Sequence, residues 1–162
     1  MSTELIFPVQ IVLGLVTMSL LARWFVAPRL AGLPREAALQ PLLAVHTLRY
    51  IGLVFLAPAA TGPSLAQSFA VPAGLGTAIA GVLALVSIAL LRTRSRFAIP
   101  LIWVFSAEGI ADFANAFLQA RSAAVVTQLG AAYYIPIVIV PAALVAHVMI
   151  LGLLLRRPLT SV

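Results

Sequence analysis

The sequence predicts an all-α fold: a polytopic integral membrane bundle of five transmembrane helices, forming one domain over residues 1–162. Composition is the first observation behind that reading. Of 162 residues, 63% are hydrophobic and only 9% are charged, whereas a soluble domain carries about 25% charged residues. Segment length is the second. Apolar runs over approximately 5–27, 38–59, 73–91, 97–119 and 132–155 each approach the roughly 20 residues that cross a hydrocarbon core. The third is where charge falls: every basic residue is an arginine, and nearly all lie in or beside the connections between runs.

The first run follows Met1-Ser2-Thr3-Glu4, which lacks the basic stretch and small-residue cleavage site of a signal peptide. It is therefore expected to persist as a helix, ended by Pro28-Arg29 and Pro34-Arg35. In the second run Pro41 falls in the first turn, where a missing N–H does no harm. Pro58 and Thr61-Gly62-Pro63-Ser64 end that run. The third run carries Gly74, Thr77, Gly81, Ala84 and Ser87 on one face, which lets another helix approach closely. The same face is the expected contact with a second copy or a membrane-complex partner. Gly74-Leu75-Gly76 resembles part of a dinucleotide fingerprint, but no strand precedes it, so packing explains it. Arg92-Thr93-Arg94-Ser95-Arg96 is a tight turn into the fourth run, and Arg121-Ser122 opens the last long loop. Pro136 and Pro141 in the fifth run should kink it and free carbonyls that need other partners.

A net charge of +6 would ordinarily suggest nucleic acid as a partner. Here the arginines read instead as topology. Arg23, Arg29, Arg35, Arg92, Arg94, Arg96, Arg156 and Arg157 belong to one side, and Arg121 to the other. That asymmetry places the N-terminus outside and the C-terminus in the cytoplasm, in a membrane of the bacterial inner-membrane type. Trp24, Tyr133 and Tyr134 fall where aromatic belts form. With no cysteine, the chain has no disulfide, thiolate metal site or dithiol chemistry. No internal repeat is visible, and an odd helix number argues against a simple inverted duplication.

Chemistry is confined to a few polar residues within the runs. Glu108, Asp112, Asn115 and Gln119 recur at helical spacing and form one stripe. A rise of ~1.5 Å per residue places Arg49 and Glu108 ~16 Å from the arginine-rich ends, near mid-membrane, and His46 and His147 ~12 Å from them. An ion pair between Arg49 and Glu108 is therefore expected, since an unpaired arginine there is costly. That pair alone is a staple between two helices. It would leave Asp112 without a basic partner, so Asp112 is expected to hold a proton unless water or a cation reaches it. Asn115 and Gln119 would then continue an ion or proton pathway from Asp112 to the outer face.

His46 and His147, at one depth on separate helices, are candidate axial ligands of a b-type haem, with Gly52, Gly109 and Gly152 leaving room for the macrocycle. Together with Glu108 and Asp112 they are also a candidate four-ligand site for a divalent metal. No cofactor is required by the remaining residues. Ser106 lacks the glycine-rich elbow of a serine hydrolase, and the two histidines do not share one helix as in zinc hydrolases. The sequence thus points to a small transporter or ion-translocating protein with its site between the second, fourth and fifth helices. The alternatives are a haem- or metal-binding membrane protein, in electron transfer or intramembrane catalysis, and a structural subunit of a membrane complex.

Overall fold

The computed structural model describes residues 3–120 and 123–156. Arg121, Ser122, Arg157 and Pro158 lie outside the described residues. Among the described residues five helices are long and apolar enough to cross a membrane: α1 (Leu5–Leu30), α2 (Arg35–Leu56), α3 (Gln67–Arg92), α4 (Ala98–Gln119) and α5 (Gly130–Leu155). A single turn, Ala123–Thr127, precedes α5, and no strand occurs among the described residues. The outer surface carries exposed Leu, Val, Ile, Phe and Trp from every helix, including Trp24, Phe25, Val104, Phe117 and Val148. Such a surface suits lipid rather than water.

Helix α3 lies antiparallel along α2, and their contacts explain the small-residue stripe. A Cβ on Gly52 would stand 2.2 Å from Thr77 Oγ1, one on Gly74 3.0 Å from Leu56, and one on Gly81 3.2 Å from the Tyr50 amide nitrogen. The close approach is as expected, but α2 of the same chain occupies this face. The partner contact assigned to Gly74, Thr77, Gly81, Ala84 and Ser87 therefore does not lie on an open surface; Gly74, Gly81, Ala84 and Ser87 are buried.

Three helices depart from plain α geometry. The second half of α2, Leu48–Leu56, is 3₁₀, much longer than the 3–4 residues usual for that form. Its buried residues Arg49, Gly52 and Phe55 recur every third position, matching three residues per turn. In α1 a π turn at Ala22–Val26 precedes Pro28, with the Ala27 amide donating to the Ala22 carbonyl; this lets the helix run past the proline to Leu30. In α5 a 3₁₀ turn at Gly130–Tyr133 is followed by a π turn at Ile135–Ile139. Pro141 removes the donor for the Ile137 carbonyl. A Cβ on Gly14 would sit 2.6 Å from that oxygen, so only glycine lets α1 lie against it. Helix α3 begins at Gln67 rather than near residue 73, because Phe69 packs on Phe55 with ring centroids 5.4 Å apart and carries the helix back past Pro72.

Two apolar clusters divide the interior. One, toward the arginine-rich end, gathers Leu39, Leu43, Ala84, Ile102, Phe105 and Ile150 from α2 to α5. The other, toward the opposite end, gathers Phe55, Phe69, Ala73, Leu129 and Ile135 and takes no described residue from α4. Between them lies a layer of polar side chains.

Candidate functional site

His46, Arg49, Ser106, Asp112 and His147 are buried in that layer, and Glu108 is half-buried at its margin. The residues come from α2, α4 and α5, as anticipated, but their pairing is different. Arg49 Nη2 donates to Asp112 Oδ2 in a buried ion pair. The expected Arg49–Glu108 bond is not made. Asp112, expected to be the lone carboxylate, is the bonded one, and Glu108 Oε2 is buried without a hydrogen-bond partner. Two features select Asp112. Helix α2 begins at Arg35 rather than near residue 38, so Arg49 lies 14 residues from its start, the same count as Asp112 from Ala98 in α4. Gly76 of α3 also makes a slot for the carboxylate, since a Cβ there would fall 2.1 Å from Asp112 Oδ1. The next residue, Phe113, places its ring 4.3 Å from the guanidinium carbon of Arg49, a cation–π contact.

The histidines meet at one level, as the depth count requires. Their ring centroids are 5.2 Å apart in an edge-to-face arrangement. His147 donates from Nε2 to the Ser106 carbonyl at 3.2 Å, leaving Nδ1 without a partner. His46 is wholly buried against Phe105, 4.9 Å away, and neither of its nitrogens has a partner. This packing corrects the haem reading: the rings touch each other, leaving no gap for a macrocycle to pass between them. Of the glycines expected to accommodate it, Gly52 is filled by Thr77 and Gly109 by His147 and Arg49. Only Gly152 has open space around it. Nor do His46, His147, Glu108 and Asp112 converge as a metal site; among the described residues no three such side chains do.

Asn115 and Gln119 continue the stripe beyond Asp112. Gln119 Nε2 donates to Asn115 Oδ1 at 2.8 Å, and Asn115 is exposed. Because α4 stands apart from the second apolar cluster, this polar edge bypasses that seal. Toward the arginine-rich end the layer is closed by Phe105, Ile102 and Leu43. The site is thus sealed toward the arginine-rich end, and its most accessible members, half-buried Glu108 and exposed Asn115, lie along the edge of α4. Gly76, Phe113 and the 3₁₀ stretch were not recognised as parts of the site from sequence. The one available signal was Gly76, whose place opposite Asp112 becomes meaningful once α3 and α4 are paired.

The conserved pattern of the family described as a domain of unknown function, DUF8737, matches residues 6–155. The chain belongs to that family. The matched stretch takes in nearly all of the five long helices, so the DUF8737 unit coincides with the bundle and its polar layer. No match was found among curated proteins or solved structures.

Proposed function

We propose that this DUF8737 protein is a small membrane transporter that translocates protons, with Glu108 as the exchanging carboxyl and the Arg49–Asp112 pair as its fixed companion. The charge balance of the layer carries this reading: one guanidinium interacts with two carboxyls, of which Asp112 is bonded and Glu108 is not. In a hydrocarbon surround an unbalanced carboxylate is unfavourable, so the group is neutral when Glu108 holds a proton. A hard metal cation takes six or more oxygen ligands, which this layer does not assemble, whereas a proton needs a single acceptor.

Asn115 and Gln119 would lead protons to Glu108 along the edge of α4, and His147 and His46 would pass them toward the arginine-rich end. The apolar seal there must open for each transfer. The 3₁₀ half of α2 supplies a moving part, since conversion to α geometry shortens and rotates the segment bearing Arg49. The arginine asymmetry supports a cytoplasmic C-terminus and an outward N-terminus in a membrane of the bacterial inner-membrane type. The test is proton flux into vesicles containing the purified protein. An imposed pH gradient should collapse faster than in protein-free vesicles, and Glu108→Gln should abolish the difference. Equal rates with and without the wild-type protein would refute the proposal.

A further inference from the structure

Between α1 and α5, in the half nearer the arginine-rich end, lies a cavity of ≈ 430 Å³ that plays no part in the polar layer. Its walls include Leu15, Leu144, Val148 and Met149, with Ser19 and Arg23 as its polar lining. The cleft is open to the lipid-facing surface, since Val148 is 69% exposed. Its origin is local: the π turn at Ala22–Val26 interrupts α1 beside it, and the α1 wall includes the small residues Ser19, Ala22 and Ala27.

The walls specify an amphipathic occupant. Arg23 has no ion pair among the described residues. The neighbouring Arg29 already donates to the Phe25 carbonyl at 2.7 Å, and Glu36 is taken by Arg35 at 3.5 Å. Among the described residues Arg23 is therefore offered no counter-charge, within a wall whose other members are apolar apart from Ser19. A soluble anion would match the guanidinium and leave the apolar length unfilled, whereas a neutral lipid would do the reverse. We infer that the groove holds one acyl chain of an anionic phospholipid whose phosphate is bound by Arg23. Basic pockets between helices near the membrane surface bind such headgroups, and the volume falls within the roughly 300–1,000 Å³ of ordinary ligand sites.

The inference is independent of proton transport and is tested without it. The intact protein in detergent is titrated with phosphatidylglycerol, with phosphatidylcholine of the same chains, and with inorganic phosphate, following thermal stability and lipid retention by native mass spectrometry. One phosphatidylglycerol should be retained and raise the melting temperature; phosphatidylcholine should bind more weakly, and phosphate should have no effect. Arg23→Gln should weaken phosphatidylglycerol roughly fivefold, toward the level of phosphatidylcholine. Ser19→Phe, which fills the groove, should remove binding of both lipids. Equal binding of the two lipids, stabilisation by phosphate alone, or unchanged retention in both variants would each overturn the inference.

Discussion

Arg49 on α2 gives its hydrogen bond to Asp112 on α4, while Glu108, one turn earlier on the same helix, is left without one. Because both paired groups are buried, removing Arg49 strands the Asp112 carboxylate in an apolar surround, whereas removing Asp112 leaves Glu108 to ionise beside the guanidinium. Arg49→Leu alone should lower stability by about 3–5 kcal/mol, and Asp112→Leu alone by less. The double replacement should recover much of that loss, because no uncompensated charge remains. Unfolding in detergent micelles measures all four proteins of the cycle. A double variant as unstable as the sum of the singles would show that the two residues are not coupled.

Glu108 should behave in the opposite way. Glu108→Gln keeps the shape of a protonated carboxyl and breaks no hydrogen bond, so the melting temperature should stay close to wild type. Proton flux in vesicles should fall to the background of empty liposomes. Retained flux would move the exchanging group elsewhere, and a collapse in stability would show that Glu108 is ionised and paired.

Much of the architecture was legible because membrane helices announce themselves by length and polarity. Helix number, the approximate ends of α4 and α5, the small-residue face of α3 and the common level of the histidines all follow from residue spacing. The Arg49 partner did not follow, since the depth count started near residue 38 and α2 begins at Arg35. Three further residues at ~1.5 Å each move Arg49 by ~4.5 Å, most of a turn, from the level of Glu108 toward that of Asp112. The slot at Gly76 was equally out of reach, because it exists only once α3 and α4 are packed. The start of α3 was hidden by Pro72, which reads as a boundary until Phe69 finds Phe55.

The glycine contacts order a mutational series. Gly76→Ala drives a methyl into the Asp112 carboxylate and Gly109→Ala drives one against His147, 2.9 Å away, whereas Gly152→Ala meets nothing within 4 Å. The first two should each lose roughly 1–3 kcal/mol, the range for overpacked interiors, and the third should be neutral. Thermal unfolding of the three variants checks the order. A destabilised Gly152→Ala alongside a neutral Gly76→Ala would mean the helices pack differently.

Orientation is checked with fusions. A phosphatase active only outside the cytoplasm should be active when fused after Gln67, at the start of α3 beside the arginine-poor connection. A cytoplasm-dependent fluorescent protein fused after Val162 should fluoresce. The reverse pattern would invert the proposed direction of the α4 flank without altering the fold.

His46 separates packing from proton relay most cleanly. Its ring is fully buried, touches Phe105 and His147 at their edges, and has no hydrogen bond at either nitrogen. As a packing element it is a poor choice, because two unsatisfied polar atoms carry a desolvation penalty that a phenyl ring would avoid. His46→Phe keeps the aromatic contact and removes both nitrogens, so thermal stability should hold or rise. A relay through His147 and His46 would lose its link toward the arginine-rich end, and flux should fall about 10²-fold or more, the lower range of positioned acid–base groups. Glu108 would remain intact, so proton uptake from the α4 edge should persist while transfer across the membrane stops. Flux unchanged in a stable His46→Phe protein would make this histidine a packing residue and leave Glu108 to exchange protons by another route.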